Sequence, residues 1–439
     1  MRFFVTGFCI ISLFISGLLF APATYAQPEE GAEAKAEEEA KTKAKANAEE
    51  KEEPVKLGDV IVTAFHGGAV TITPTKTIID IEKFSKAGSV DRIEDILRHV
   101  AGIDVLRGST GADPQQFIMM RGFDDSRFTV AFDGRSITSP SAGADTYVDW
   151  SSLTTADIEK VEIIRGASSA LYGNSQGGII NIITKKGKKR DTLVPKVTFK
   201  SDYSRFDTYA ERATLDGGVG NFGYFFNYGY KKSDGYLRNN YYRGGDYSTR
   251  LSYYFPSEAN LTLSWKGSYL DHGYAVVNDP GLASYDPDYP VVPVDADTIR
   301  RYREISYPGG DNLKEKESDH VDIMFEQPIK DATLNVHLFM TRGAEDSWFY
   351  VYSGDQPIPY DPPPEDFSQK FSGDEDREET QWGGTIRYDL HLWENNSLTV
   401  GYDHRRMQIE SAHNVWRMHA GYFEDNWTVT PRLSMILGL

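Results

Sequence analysis

Met120–Ile137 reads MRGFDDSRFTVAFDGRSI, and Ile158–Lys186 reads IEKVEIIRGASSALYGNSQGGIINIITKK. A short apolar run ends in an Arg-Gly step at Arg121 and again at Arg165. The alternating residues after the first step lead into Asp133-Gly134, a dipeptide that favours a tight turn. Glycines interrupt the second stretch before another apolar run. These patterns predict a small mixed α/β unit whose strands end in glycine-rich corners.

The segment Gly173–Gly177 fits G-x-S-x-G, the motif that places the nucleophile of many hydrolases. That motif requires a strand before the serine and a helix after it, whereas a run typical of a strand begins here at Ile179. No histidine is placed to act as a partner. We therefore interpret the glycines as backbone corners and expect no catalytic residue, no enzyme activity and no cofactor.

The order of these pieces resembles the plug domain of TonB-dependent outer-membrane receptors over roughly residues 60–186. The resemblance implies a membrane β-barrel, twenty-two-stranded in the family, with an N-terminal mixed α/β plug domain, here residues 65–190. It also implies import of a scarce ligand across the outer membrane of a Gram-negative cell, with TonB as the energising partner. In the family, two plug arginines that match Arg121 and Arg165 pair with carboxylates on later barrel strands, which makes them candidates for a plug–barrel lock.

The N-terminal residues 1–26 have the pattern of a cleaved signal peptide. Arg2 precedes a mostly apolar run from Phe3 to Phe20, and Thr24-Tyr25-Ala26 offers a small-residue cleavage site. The alternative is a transmembrane anchor, for which the run is barely long enough. Cys9 is the only cysteine and lies in this segment, so the exported chain is expected to need no disulfide.

A low-complexity segment of Ala, Glu and Lys follows at residues 27–57. It has too few apolar side chains to fold alone, and we interpret it as a periplasmic tether. Residues 58–64 are then β-prone, which by itself fits an edge strand of the plug equally well. The resemblance favours a TonB box, a segment that adds as a strand to a sheet of the partner. The residues assigned to the box are Asp59, Val60, Ile61, Val62, Thr63 and Ala64.

The segment Ser89–Val100 has the spacing of a helix, because apolar residues recur on one face. Ser89 is its expected N-cap and Gly102 its stop. The run Ile103–Leu106 is predicted to be the strand that leads into an outward loop.

Residues 191–439 are predicted to be the N-terminal half of the barrel. Apolar Leu261, Leu263 and Trp265 alternate there with Thr262, Ser264 and Lys266. Such ten-residue segments are typical of a transmembrane barrel, although the strands of a soluble β-sandwich also alternate. Eleven strands are expected near residues 194–204, 208–219, 222–232, 245–256, 259–271, 318–328, 331–342, 379–391, 396–409, 415–429 and 432–439.

The lengths of the connections separate these two folds. Tight turns at Gly220-Asn221 and Lys330-Asp331 alternate with segments as long as 272–317 and 343–378. Short turns on one side and long loops on the other are expected of an outer-membrane barrel. The formal net charge of −18 argues against a nucleic-acid partner, and the acidic loops contain no defined set of metal ligands.

In the family, ligands bind between the long loops and the outward loops of the plug. The residues that match this region and carry suitable side chains are Arg107, Gln115, Arg127 and Tyr147. A ferric siderophore is the first expectation, because iron chelates are the commonest cargo of the family; cobalamin, haem and oligosaccharides are alternatives within it. A passive porin or a remnant without transport are alternatives of another class.

The sequence stops at Leu439, inside a predicted strand and after eleven strands in all. Eleven strands would leave two open edges whose main-chain groups are unpaired within lipid. The expectation from the sequence is therefore a fragment that neither closes a pore nor transports.

Overall fold

A computed structural model describes the fold from Ala69 onward. The described residues are 69–72, 76–85, 92–107, 116–124, 126–137, 139–140, 146–148, 150, 153–165, 172, 175–190, 194–293, 313–348, 377–393, 395–410, 413–430 and 433–439. The predicted signal peptide, tether and TonB box lie outside the described residues. All the described residues belong to one unit, Leu57–Leu439.

The N-terminal part is a small α/β unit built on a six-stranded sheet. Its sheet has the order β1-β2-β9-β10-β5-β6, in which β10 and β5 are parallel and the other pairs antiparallel. Strands β3 and β4 pair with each other, as do β7 and β8. The elements are β1 Val70–Ile72, β2 Lys76–Asp80, α1 Ile81–Ser85, α2 Ile93–Leu97, β3 Ile103–Arg107, β4 Gln116–Met120, β5 Thr129–Phe132, β6 Arg135–Ser136, β7 Ser139–Pro140, β8 Thr146–Tyr147, a 3-10 turn Thr155–Asp157, β9 Ile158–Arg165 and β10 Gly178–Thr184.

The α/β unit has its own apolar core. Ile96 and Leu97 on α2 are fully buried with Ile163 of β9 and Ile180 of β10. The helix is shorter than predicted, because it begins at Ile93 rather than just after Ser89, and its N-cap position is Arg92, which makes no side-chain capping bond. The predicted stop is wrong as well, because the helix ends at Leu97 with Arg98 as its C-cap. Gly102, with a φ of 81°, lies in the turn before β3. The predicted strand β3 is confirmed.

The C-terminal part is one antiparallel sheet of eleven strands, the large sheet. Consecutive strands pair in order from β11 to β21, as predicted. The strands are β11 Lys196–Ser204, β12 Thr208–Val219, β13 Phe222–Ser233, β14 Tyr242–Tyr254, β15 Asn260–Gly273, β16 Leu313–Ile329, β17 Ala332–Trp348, β18 Arg377–Trp393, β19 Asn396–Ile409, β20 Asn414–Thr430 and β21 Leu433–Gly438.

The polarity of the large sheet is inverted relative to a water-soluble sheet. On β15 the apolar Trp265 is 50% exposed, whereas the polar Ser264 and Thr262 on the other face are 1% and 0% exposed. On β17, Leu338 and Met340 are likewise half exposed. A β-sandwich buries its apolar face, so this arrangement excludes that alternative and matches a barrel wall with an apolar outside and a polar inside.

Candidate functional site: the interface between the α/β unit and the large sheet

The Asp-Gly turn that the sequence singles out delivers a charged side chain to the large sheet. Asp133 and Gly134 both have positive φ, 47° and 87°, as a two-residue type I′ turn requires. The turn is tied to β10, since the Gly134 N–H donates to Asn181 Oδ1 at 3.0 Å and the Thr184 N–H donates to Asp133 Oδ1 at 3.0 Å. It therefore holds the first residue of β6, Arg135, in a fixed place.

Arg135 is buried in an ionic contact with strand β16. Its Nε lies 3.0 Å from Oδ1 of Asp322, and the two side chains are 1% and 8% exposed. Its Nη1 donates to Thr341 Oγ1 at 3.2 Å, and the guanidinium lies 4.5 Å from the ring centre of Phe339. His337 Nε2 contacts the same Asp322 oxygen at 2.8 Å. One carboxylate of the large sheet thus binds both an arginine of the α/β unit and a histidine of the sheet.

A second cation lies beside this pair, and no carboxylate of the described residues forms an ion pair with it. Lys266 on β15 is 8% exposed, and its Nζ lies over the ring of Phe132, 2.7 Å from the ring centre. Phe132 also meets the ring of His320 edge-on at 6.2 Å. His320 Nδ1 is 3.0 Å from Thr341 Oγ1, the hydroxyl that accepts from Arg135. The end of β5 and the start of β6 therefore dock into one polar pocket of the large sheet.

A second anchor joins β14 to the end of β10. Arg250 is 1% exposed, donates to the Lys185 carbonyl oxygen at 2.6 Å and lies 3.9 Å from Oδ2 of Asp157. Lys185 Nζ in turn donates to the Ala156 carbonyl oxygen at 2.7 Å. Burial lowers the pKa of Lys185, and the charge of Asp157 opposes this shift.

The link between the two parts is packed directly on the backbone of the large sheet. A Cβ at Gly187 would clash with the backbone of Gly223 and Tyr224, so only glycine fits there. Tyr254 Oη donates to the Gly187 carbonyl oxygen at 2.7 Å. Arg190 pairs with Asp216 at 2.8 Å. The chain is therefore fixed to the base of the sheet immediately before β11 begins.

A cleft of about 410 Å³ separates the α/β unit from strands β11–β15 on the side of the long loops. Arg92, Leu153 and Thr154 form its wall on the α/β unit. On the sheet, Arg212 makes two 2.7 Å bonds to Asp246. The cleft also contains hydroxyl groups and aromatic rings, contributed by Ser204, Thr208, Ser233, Ser268, Phe206, Tyr230, Tyr236, Tyr242 and Tyr269. Further charged residues line it as well, namely Lys200, Asp202, Arg205, Glu211 and Lys231.

The predicted site residues are distributed over several loops. Arg127 is exposed, and its Nη1 donates to Gln176 Oε1 at 3.3 Å. Arg121 is exposed at the corner after β4, with a φ of 56°. The backbones of Arg107, Tyr147 and Arg165 lie in β3, β8 and β9, while their side chains and Gln115 lie outside the described residues. The lock predicted for Arg121 and Arg165, which involves later strands, stays a prediction.

Residues 70–179 match the family model of the TonB-dependent Receptor Plug Domain. This match covers five strands of the six-stranded sheet that carries Arg135 and reaches the start of the remaining one, β10. This part of the chain is a plug domain of the kind found in TonB-dependent receptors. The α/β unit contains this plug domain and is called the plug, and the large sheet, with its apolar outer face and polar inner face, is called the wall.

Two curated relatives align with part of the chain. The ferric enterobactin receptor PirA of Pseudomonas aeruginosa is 27% identical over 152 residues, which are 32% of this chain and 20% of PirA. The vitamin B12 transporter BtuB of Vibrio vulnificus is 28% identical over 164 residues, 36% of this chain and 26% of BtuB. The aligned regions thus span only about a quarter of these relatives or less.

Solved receptors share the fold over most of the chain. The ferripyoverdine receptor of the Pseudomonas aeruginosa outer membrane superposes with a TM-score of 0.58 at 16% identity, covering 86% of this chain and 53% of that one. The FrpB iron transporter of Neisseria meningitidis gives a TM-score of 0.60 at 13% identity, covering 85% and 58%. The plug and eleven strands therefore correspond to somewhat more than half the length of such receptors.

Sequence reasoning missed the residues that join plug and wall. The sequence did contain an indication that Arg135 is functional, because this residue directly follows the Asp-Gly turn. Lys266, His320 and Asp322 had a weaker one, since they are ionisable residues on the inward positions of alternating strands. Among the described residues, no helix is long and apolar enough to cross a membrane. No cluster of metal-ligating side chains was found among them.

Proposed function

We propose that this receptor imports a ferric siderophore across the outer membrane, energised by TonB. The observation that carries the proposal is the buried contact of Arg135 with Asp322, which holds the plug against the polar face of the wall. A plug held by a few specific charged contacts fits a gate that is opened by force. A passive pore would have no use for it.

The remaining parts of the proposal concern the partner and the ligand. Residues 1–26 direct export, residues 27–57 are the tether, and Asp59–Ala64 engage TonB as an added strand. Arg107, Gln115, Arg127 and Tyr147 meet the ligand at the outer side, with aromatic and hydroxyl groups of the wall beside them. Guanidinium groups suit the anionic oxygens of an iron chelate. The iron is cargo in this scheme.

The siderophore assignment is supported by the relatives, since PirA is a ferric enterobactin receptor and a solved neighbour binds ferripyoverdine. The test is growth under iron limitation of cells with and without the complete gene, each supplied with one defined siderophore. Growth that depends on the gene with at least one siderophore is expected. Equal growth of both strains with every siderophore contradicts the assignment.

A second candidate ligand is cobalamin, because the vitamin B12 transporter of Vibrio vulnificus matches at the same level of identity. The same pair of strains, grown with cobalamin as the limiting nutrient, separates the two ligands. Dependence on the gene only in the cobalamin medium would replace the siderophore with cobalamin and leave the transport mechanism unchanged.

A further inference from the structure

The contact between β5–β6 and the wall holds one negative charge and several positive ones. Asp322 is bound by Arg135 of the plug, while Lys266 of the wall rests on the Phe132 ring. No carboxylate among the described residues forms an ion pair with Lys266. The other charged or titratable groups around it are Arg250 and Asp157 at the neighbouring anchor and His320 and His337 on the adjoining strands.

Lys266 and Asp322 are diagonal neighbours on one face of the wall. In the register of β15 with β16, Lys266 lies opposite His320, and Ser264 lies opposite Asp322. Diagonal positions of an antiparallel pair are about 7–8 Å apart, which is within reach of a long side chain. We call the arrangement with the plug docked the closed state. In it the Lys266 ammonium group lies on the Phe132 ring and the Asp322 carboxylate binds Arg135, so Lys266 and Asp322 do not pair with each other.

Phe132 and Arg135 flank the same two-residue turn, so they leave the wall together when the plug moves. We propose that Lys266 then forms an ion pair with Asp322 in place of Arg135. Lys266 is therefore a positioning residue that favours the open state, in which the plug has moved away from the wall. Without a replacement partner, withdrawing Arg135 would remove the guanidinium from a buried carboxylate and leave it the contact with His337, which is unfavourable. With this exchange of partners, Asp322 has a cationic partner both in the closed state, where it is Arg135, and in the open state, where it is Lys266. This inference rests on the proposed movement of the plug.

The proposal and a simple packing role of Lys266 predict opposite effects of its removal on how often the plug opens. If Lys266 only holds Phe132 through a cation–ring contact, its removal loosens the plug. If Lys266 replaces Arg135, its removal deprives Asp322 of its replacement cation in the open state, where the His337 contact remains. It also relieves the closed state of an ammonium group that has no ion-pair partner among the described residues. The plug then opens less often.

Hydrogen–deuterium exchange of the complete receptor in outer-membrane vesicles tests this directly, without ligand and without TonB. The readout is amide exchange in Arg127–Ile137, compared with that in the wall strand β13 as a folding control. Exchange of the plug segment reports the population of opened states. Because neither ligand nor energy is present, the result is independent of whether the proposed cargo is right.

We expect Lys266→Met to slow exchange of Arg127–Ile137 by at least about threefold, and Lys266→Arg to leave it unchanged because the positive charge is kept. Lys266→Gln is the substitute if the methionine variant does not assemble, and the same slowing is expected.

In an Asp322→Asn background the effect of Lys266→Met on exchange should shrink to less than about half, since the shared partner is gone. Faster exchange in Lys266→Met, or an equal effect with and without Asp322, overturns the proposal.

Discussion

At the scale of single residues, Arg135 is the described plug side chain whose loss should destabilise the docked plug most, because its partner Asp322 is buried with it. We expect Arg135→Met to destabilise the docked plug by about 3 kcal/mol, since the buried carboxylate left behind loses its guanidinium partner and keeps the contact with His337. A cysteine placed at the buried plug position Ser175 reports this as a faster maleimide-labelling rate. Lys83→Met is the control, because Lys83 is exposed, and equal rates in the two variants would contradict the expectation.

The proposed ligand contacts also belong to this scale. Arg107→Ala and Arg127→Ala should each weaken binding of an anionic iron chelate by about 1–3 kcal/mol, the range for hydrogen bonds to charged groups. A binding titration on intact cells with labelled chelate measures this. Lys83→Ala is the matched control, because it also removes one positive charge from an exposed plug position and should leave the affinity unchanged. Unchanged affinity in both single variants and in the double variant would remove these arginines from the site.

At the scale of elements, the link after β10 depends on the absence of a side chain. Gly187→Val should displace the link from β13, because the added carbons would meet the backbone of Gly223 and Tyr224. Reduced assembly into the outer membrane, seen as loss of protein from purified membranes, is expected. Gly421→Val is the control, since nothing lies within 4 Å of a Cβ there, and it should assemble normally.

The exposed apolar face of a wall strand should be intolerant of charge. Leu263 on β15 is 44% exposed, and Leu263→Arg should cost about 2–4 kcal/mol if that face meets the middle of the bilayer. Folding into lipid vesicles under a urea titration measures the difference. Tyr236 lies in the connection between β13 and β14 and is 56% exposed, so Tyr236→Arg should have little effect. Similar midpoints for both variants would show that Leu263 does not face lipid.

At the scale of the whole molecule, ligand binding and energised uptake should be separable. Ile61→Pro removes a main-chain donor from the proposed added strand, so uptake of the ligand should be lost while its binding at the cell surface is kept. Transport and binding of the same labelled ligand are measured on the same cells. A parallel loss of both activities would mean that residues 59–64 serve the fold of the receptor instead.

The sequence by itself determined the order and polarity of the elements. Alternation of period two over β11–β21 predicted eleven strands and which side chains face outward, because in a strand this information is local to each pair of neighbouring residues. The Asp133-Gly134 turn was equally readable, since few dipeptides favour two consecutive positive φ angles. The helix start was misjudged: Ser89 fits the capping pattern, but the helix begins only at Ile93.

Only the tertiary structure decided which charges meet. Arg135 and Asp322 are far apart in sequence and on different parts of the fold, and no local pattern distinguishes Asp322 from the other inward polar residues of its strand. Their contact depends on how the plug is seated against the wall, which sets the height of β6 relative to β16 and β17. The same seating places Phe132 over Lys266. Pairing of this kind is a property of two docked surfaces, so it becomes visible only when both are in place.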